Sequence, residues 1–194
     1  MEKGKGIPMR IPMHKTLMLA ALLGAAFVLL QGGIAPPTAE AANACYRHGD
    51  DRPGQLNKKH ARNAVICLIN KKRRENGRGR LDRDGRLNSA ARSHSNTMAS
   101  KNCFSHQCSG EPGLEQRLRN VGYLVSGLSR WAYGENIAWG TGSQGTPRQV
   151  VNGWMSSPSH RSVILSGTFR DVGAAFARRD TKGFYTADFG LRRR

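Results

Sequence analysis

Apolar residues return at helical spacing through the first half of the chain and at strand spacing near its end. From Ala61 to Glu75, ARNAVICLINKKRRE places Ala64, Val65, Leu68 and Ile69 on one face, and Gly77 stops the run, so a helix is predicted there. Asp84 offers an N-cap for a second helix to about Ser100, on which Leu87, Ala91, His94 and Met98 fall on one stripe. His94 therefore reads as a hydrogen-bonded core histidine. Pro112 to Asn120 predicts a short third helix with Leu114 and Leu118 inward. Thr146-Pro147, a cap followed by Pro in the first turn, opens a helix over Arg148–Met155 that carries Val150, Val151 and Trp154. Ser157-Pro158 breaks it, and Ser159–Leu165 predicts one more short stretch of helix. The period then changes. DVGAAFARR (Asp171–Arg179) and GFYTADFG (Gly183–Gly190) read as strands joined through Asp180-Thr181-Lys182 as a hairpin. Helices followed by an antiparallel hairpin predict an α+β layered fold.

The N-terminus changes the picture of compartment. Lys3, Lys5, Arg10 and Lys15 precede the apolar run LMLAALLGAAFVLL, and small-x-small sites follow at Ala39-Glu40-Ala41 and Ala42-Asn43-Ala44. That pattern is a secretory signal peptide, expected over residues 1–41 with cleavage after Ala41 or Ala44. The rival reading is an uncleaved membrane anchor. Residues 42–60 are a polar lead-in, and 61–191 form one domain with a single core. In a secreted chain the four cysteines are expected to be oxidised. Cys103–Cys108 is the local pair, which leaves Cys45–Cys67 to tie the lead-in to the first helix. A structural zinc site is the rival, but Cys45 and Cys67 form no second close pair.

The formal net charge is +18, and it falls to +16 without residues 1–41, which hold four basic and two acidic side chains. Such a chain favours anionic surroundings: cell-wall polymers, a membrane surface or nucleic acid. Its basic residues are spread along the sequence, apart from clusters such as Lys71-Lys72-Arg73-Arg74 and Arg192-Arg193-Arg194. No aromatic-interleaved basic motif of a nucleic-acid reader is present, so a specific nucleic-acid partner is not expected.

Three short segments carry candidate chemistry: Phe104-Ser105-His106, Gly134-Glu135-Asn136 and Ser157-Pro158-Ser159-His160-Arg161. Two histidines and one carboxylate from separate loops could form a divalent-cation site, for zinc or calcium, with open positions for water. The blander reading has them hydrogen-bonding one another to hold those loops together. Gly134, Gly140 and Gly173 are expected to serve turns or close packing. Trp131, Tyr133, Trp139 and Trp154 are expected in the core or cleft wall, where exposed ones could stack on sugar rings.

In order along the chain, these segments resemble the CAP superfamily of cysteine-rich secretory, antigen 5 and pathogenesis-related proteins, and most of all its short secreted bacterial members. The resemblance is carried by Ile69-Asn70 with Arg73, Leu81 and Leu87 with Ala90-Ala91, and Phe104-Ser105-His106. It continues through Arg117, Gly122-Tyr123, Gly134-Glu135-Asn136-Ile137-Ala138, Trp154-Met155, Ser157–Arg161, Val172-Gly173, Tyr185 and Phe189-Gly190. It implies an α–β–α sandwich with a wide cleft lined by two His and two Glu. Carried over, His106 matches the first histidine, Glu135 the acid of the Gly-Glu-Asn motif, and His160 the second histidine. A second Glu is expected from the Trp-containing helix, yet no Asp or Glu lies between Glu135 and Asp171. One acid and two histidines are thus expected at the cleft.

Two functions follow. The first is an extracellular or cell-wall-associated binding or scaffold module, monomeric, whose cleft accepts a cation, lipid, glycan or peptide. The second is a metal-dependent hydrolase using His106, Glu135 and His160. A serine or cysteine nucleophile is not expected: Gly-x-Ser-x-Gly is absent, and the cysteines are taken up in disulfides. A glycosidase would need two facing carboxylates. Binding without catalysis is the favoured reading.

Overall fold

The computed structural model describes Cys45 and residues 47–194, so the expected signal peptide and its cleavage sites lie outside the described residues. The chain runs through α1 (Lys58–Glu75), β1 (Asp82–Arg83), α2 (Gly85–Lys101), α3 (Leu114–Asn120) and β2 (Arg130–Thr141). A 3-10 turn over Gly142–Gly145 leads to α4 (Pro147–Ser156), α5 (Pro158–Leu165), β3 (Asp171–Arg179) and β4 (Lys182–Arg193). The sheet order is β1-β3-β4-β2. β3 and β2 both pair antiparallel to β4, and β1 pairs parallel to β3 over two residues. The layered α+β architecture expected from the sequence is therefore present, with a mixed rather than wholly antiparallel sheet.

The helix starts follow from capping. Asp84 caps α2 by accepting from the amides of Arg86 and Leu87, and Thr146 caps α4 by accepting from that of Gln149. α1 begins three residues earlier than its apolar period indicates, because the Asn57 side chain accepts from the His60 amide. β4 likewise runs on to Arg193, paired throughout with β2.

Each face of the sheet is covered by helices. On one face Val65, Leu68 and Ile69 of α1, Val151 and Trp154 of α4 and Ile164 of α5 pack on Val172, Phe176, Tyr185 and Phe189. On the other, Met98 of α2 meets Ile137, Ala177 and Phe184, while Leu87 and Ala90 meet Leu118 and Tyr123. Close approach of α2 depends on Gly173: a Cβ there would lie 2.2 Å from the backbone of Leu87 and Asn88. Both expected disulfides, Cys45–Cys67 and Cys103–Cys108, are formed.

The largest departure from the sequence reading is β2. Glu135 was expected on a loop but lies mid-strand at the sheet edge, whereas His160 lies within α5, the short helix expected over Ser159–Leu165. β2 alternates large Trp131, Tyr133, Glu135, Ile137 and Trp139 with small Ala132, Gly134, Asn136, Ala138 and Gly140. Its period is therefore one of size more than polarity. Gly134 is a packing position here: an added Cβ would stand 3.0 Å from the Phe169 ring.

Candidate functional site

The Gly-Glu-Asn motif works because neighbouring strand residues point to opposite faces. Glu135 turns toward α2 and α3, and Asn136 toward α5, where its Nδ2 donates to the His160 carbonyl at 3.0 Å. The two histidines thus belong to opposite layers, one on each side of the β2 edge. Trp154 Nε1 donates to the Ile137 carbonyl at 2.9 Å and fixes α4 against the same strand.

His106 sits in the loop closed by Cys103–Cys108 between α2 and α3. A bridge over so short a loop contributes about 2 kcal/mol in the chain-entropy picture, and it limits where His106 can point. Its Nδ1 lies 2.8 Å from Glu135 Oε1, and its side chain is 60% exposed while that of Glu135 is 2% exposed. Arg117 of α3, 3% exposed, donates from Nη2 to Glu135 Oε2 and from Nη1 to the His106 carbonyl at 3.0 Å. One guanidinium therefore holds both the acid and the loop that presents the histidine.

The network continues inward. Glu111 accepts from the Cys108 amide at 3.3 Å, and both of its oxygens lie 2.9 Å from His94 Nδ1. His94 is fully buried and hydrogen-bonded, as its place on the α2 stripe predicts. Asp188 faces Glu135 across the β2–β4 ladder and is 0% exposed. Neither of its oxygens has a hydrogen-bond partner among the described residues, and the same holds for His94 Nε2 and Arg117 Nε. Glu111, Glu135 and Asp188 meet in this buried network, and none of them comes from the Trp-containing helix.

Their charge states diverge for physical reasons. Burial alone would raise the Glu135 carboxyl, but the His106 hydrogen bond and the Arg117 charge outweigh it and hold it below the usual range. For Asp188 the Arg117 charge acts in the same sense but does not offset its burial. Full burial, reinforced by the Glu135 charge, pushes it well above the ordinary carboxylate value and favours its protonated form. The bond to Glu135 raises His106 despite partial burial. Burial, followed by the His106 charge, lowers His160. His106 is thus drawn toward its cationic form and His160 toward its neutral one. His160 Nδ1 lies 2.8 Å from Ser157 Oγ, and its Nε2 has no partner among the described residues.

A divalent cation does not fit these groups as they stand. To use Glu135 it would have to displace both His106 and the Arg117 guanidinium, and an arginine in the second sphere opposes added positive charge. Among the described residues no three His, Cys, Asp or Glu side chains are arranged to hold a metal. The sequence reading singled out Arg117 without giving it a role and passed over Glu111 and Asp188. Arg117 follows Leu114 by three residues on the inward side of α3, which is the one local sign that it is buried. Among the aromatics, Trp154 is core, while Trp131 and Trp139 are exposed, and the Trp131 ring lies parallel to Tyr133 at 5.7 Å.

The profile of the Cysteine-rich secretory protein (CAP) family matches residues 66–189, well over half of the chain. YkwD, an uncharacterized protein of Bacillus subtilis, is 35% identical over 114 residues, covering 58% of this chain and 40% of its own. Among solved structures, an extracellular protein containing an SCP domain from Bacillus anthracis is similar, with TM-score 0.58 and 26% identity. That match covers 73% of this chain and 42% of the other. An outer surface protein of Borrelia burgdorferi has TM-score 0.57 at 19% identity, covering 66% and 90%, and shares the fold. The chain spans about two fifths of the length of the two Bacillus relatives.

Proposed function

Since the chain belongs to the CAP family, we propose that it is a secreted binding module. Its cleft between His106 and His160 accepts a small ligand, and its positive charge holds it on an anionic surface such as cell-wall polymer. The leader pattern and the extracellular Bacillus anthracis relative support secretion. Among the described residues no helix is long and apolar enough to cross a membrane.

The observation that carries the reading is the state of Glu135. One oxygen is engaged by His106 and the other by Arg117, so the carboxylate is neither a free base nor an open ligand. General-base catalysis needs an acceptor able to take a proton from a positioned water or substrate. Asp188 is fully buried, with its carboxyl shifted toward the protonated form, and Glu111 is bound to His94. The reactive positions at the mouth are the two imidazoles, which suit recognition of a polar or anionic group.

Calorimetry with zinc and calcium, on the wild type and on His106→Ala, tests the reading. No stoichiometric binding to the wild type is expected. One-to-one binding that disappears in His106→Ala would overturn it in favour of a metal enzyme. Retention on cell-wall material is expected to weaken as salt is added, and salt-insensitive retention would contradict electrostatic anchoring.

A further inference from the structure

The edge of the sheet opposite the cleft carries a second site. β1 pairs with β3 only at Asp82↔Asp171 and Arg83↔Val172, so among the described residues β3 runs on past it with no strand alongside. The gap is filled by α1 from one layer and α2 from the other, leaving a groove of about 410 Å³. Lys58, Lys59 and Arg62 of α1 and Arg92 of α2 line it, with Ala174 to Phe176 as an apolar floor, and no carboxylate does. None of the four cations makes an ion pair among the described residues. Arg62 Nε is buried and has no hydrogen-bond partner.

This arrangement runs against local electrostatics. The first turn of a helix favours acids, because unpaired amides place partial positive charge there. α1 has no acid in its first turn and instead begins Lys58-Lys59. Burial, and then the nearby Arg62 charge, push the Arg83 guanidinium below its usual value. Four cations without an ion pair around a concave site favour an anion from outside. Asn88 spends its Oδ1 on the Ala174 amide at 3.0 Å, which keeps the side-chain NH₂ as a further donor on the groove wall.

From this geometry we infer that the groove binds a phosphorylated polyol, with the phosphate held by Lys59, Arg62 and Arg92 and the polyol over the apolar floor. Arginine forks match phosphate oxygens two at a time, and lysine adds point charge. The volume exceeds what a bare phosphate fills and lies in the range of small-molecule sites. The inference rests on the reading of a charge-anchored module and gives that anchor a place. It does not involve the cleft.

The test is titration calorimetry of the full secreted protein with glycerol 3-phosphate, poly(glycerol phosphate) and phosphatidylglycerol vesicles. It compares the wild type, Lys59→Gln/Arg62→Gln/Arg92→Gln, and a charge-matched control, Arg74→Gln/Arg78→Gln/Arg194→Gln, whose sites are exposed and lie outside the groove. Loss of the groove cations is expected to weaken binding about tenfold or more, and the control by about twofold or less. Binding by poly(glycerol phosphate) but not vesicles identifies a polymer repeat, and the reverse a lipid headgroup; either supports the site. Equal losses in both variants would overturn it and leave only diffuse charge. No binding of any probe to the wild type would remove the site and the anionic anchor together.

Discussion

At the β2 edge of the sheet, charges are buried and answered. At the β3 edge, they are mostly exposed, with Arg62 half-buried, and unanswered. Arg117 spends its donors on Glu135 and on the carbonyls of His106 and Pro112, while Glu111 closes on His94 and the Cys108 amide. Across the sheet, Lys58, Lys59, Arg62 and Arg92 surround a groove without one acid. Buried charges survive only when paired, since desolvation costs several kcal/mol per ion. Exposed cations face no such demand, so their pairing is open to an outside partner. The first region is built to keep a shape, and the second to change its electrostatic state when something binds.

The largest effect is expected from breaking the first region. Arg117→Ala leaves Glu135 charged and buried without its guanidinium and frees the His106 loop. A loss of about 3–5 kcal/mol in urea unfolding is expected. The double variant Arg117→Met/Glu135→Leu, which removes both charges, should recover much of that loss. A single-variant loss below about 1 kcal/mol would mean that the pair is effectively solvated, and the contrast between the two edges would fail.

How far the sequence reveals these regions depends on the range over which their partners act. The helices are legible because caps and periods are local: Asp84, Thr146-Pro147 and the Leu87–Met98 stripe mark ends and faces directly. β2 is not legible by polarity, since Gly134 and Gly140 interrupt its apolar alternation and serve close approach of Phe169 and of Gln144. His106 is legible because the Cys103–Cys108 loop surrounds it, and the ordered motifs bring Glu135 and His160 into view. Arg117, Glu111 and Asp188 are different. A charged residue is buried only if a partner distant in sequence meets it, here over separations of 17 and 18 residues for His94–Glu111 and Arg117–Glu135. The groove is hidden for the same reason, because α1 and α2 come together there only through β3.

A smaller effect separates the two acids facing each other on β2 and β4. The folded state raises Asp188 above its unfolded value near 3.8, so the native protein binds more protons than the unfolded chain over the window between those values. Stability from this group is present at low pH and falls as pH rises through that window. Glu135, lowered by its partners, acts in the opposite sense at the acid end. Asp188→Asn is expected to flatten the alkaline side of a urea-midpoint-against-pH curve, with a change of about 1 kcal/mol or less near neutrality. An unchanged slope in the variant would show that Asp188 is ionised in the native protein.

The smallest effect has the opposite sign. Lys59 is exposed, sits in the first turn of α1 and has like-charged neighbours at Lys58 and Arg62. Lys59→Glu places an acid where the helix terminus favours one and within reach of both cations. It should raise stability by about 0.3–1 kcal/mol at low salt, and the gain should shrink as salt is added. The same substitution should weaken binding of poly(glycerol phosphate). A position that becomes more stable as it loses affinity is one where local stability has been given up for an external partner. If Lys59→Glu destabilises the fold, the cation is structural, and the β3 edge is held together from within just as the β2 edge is.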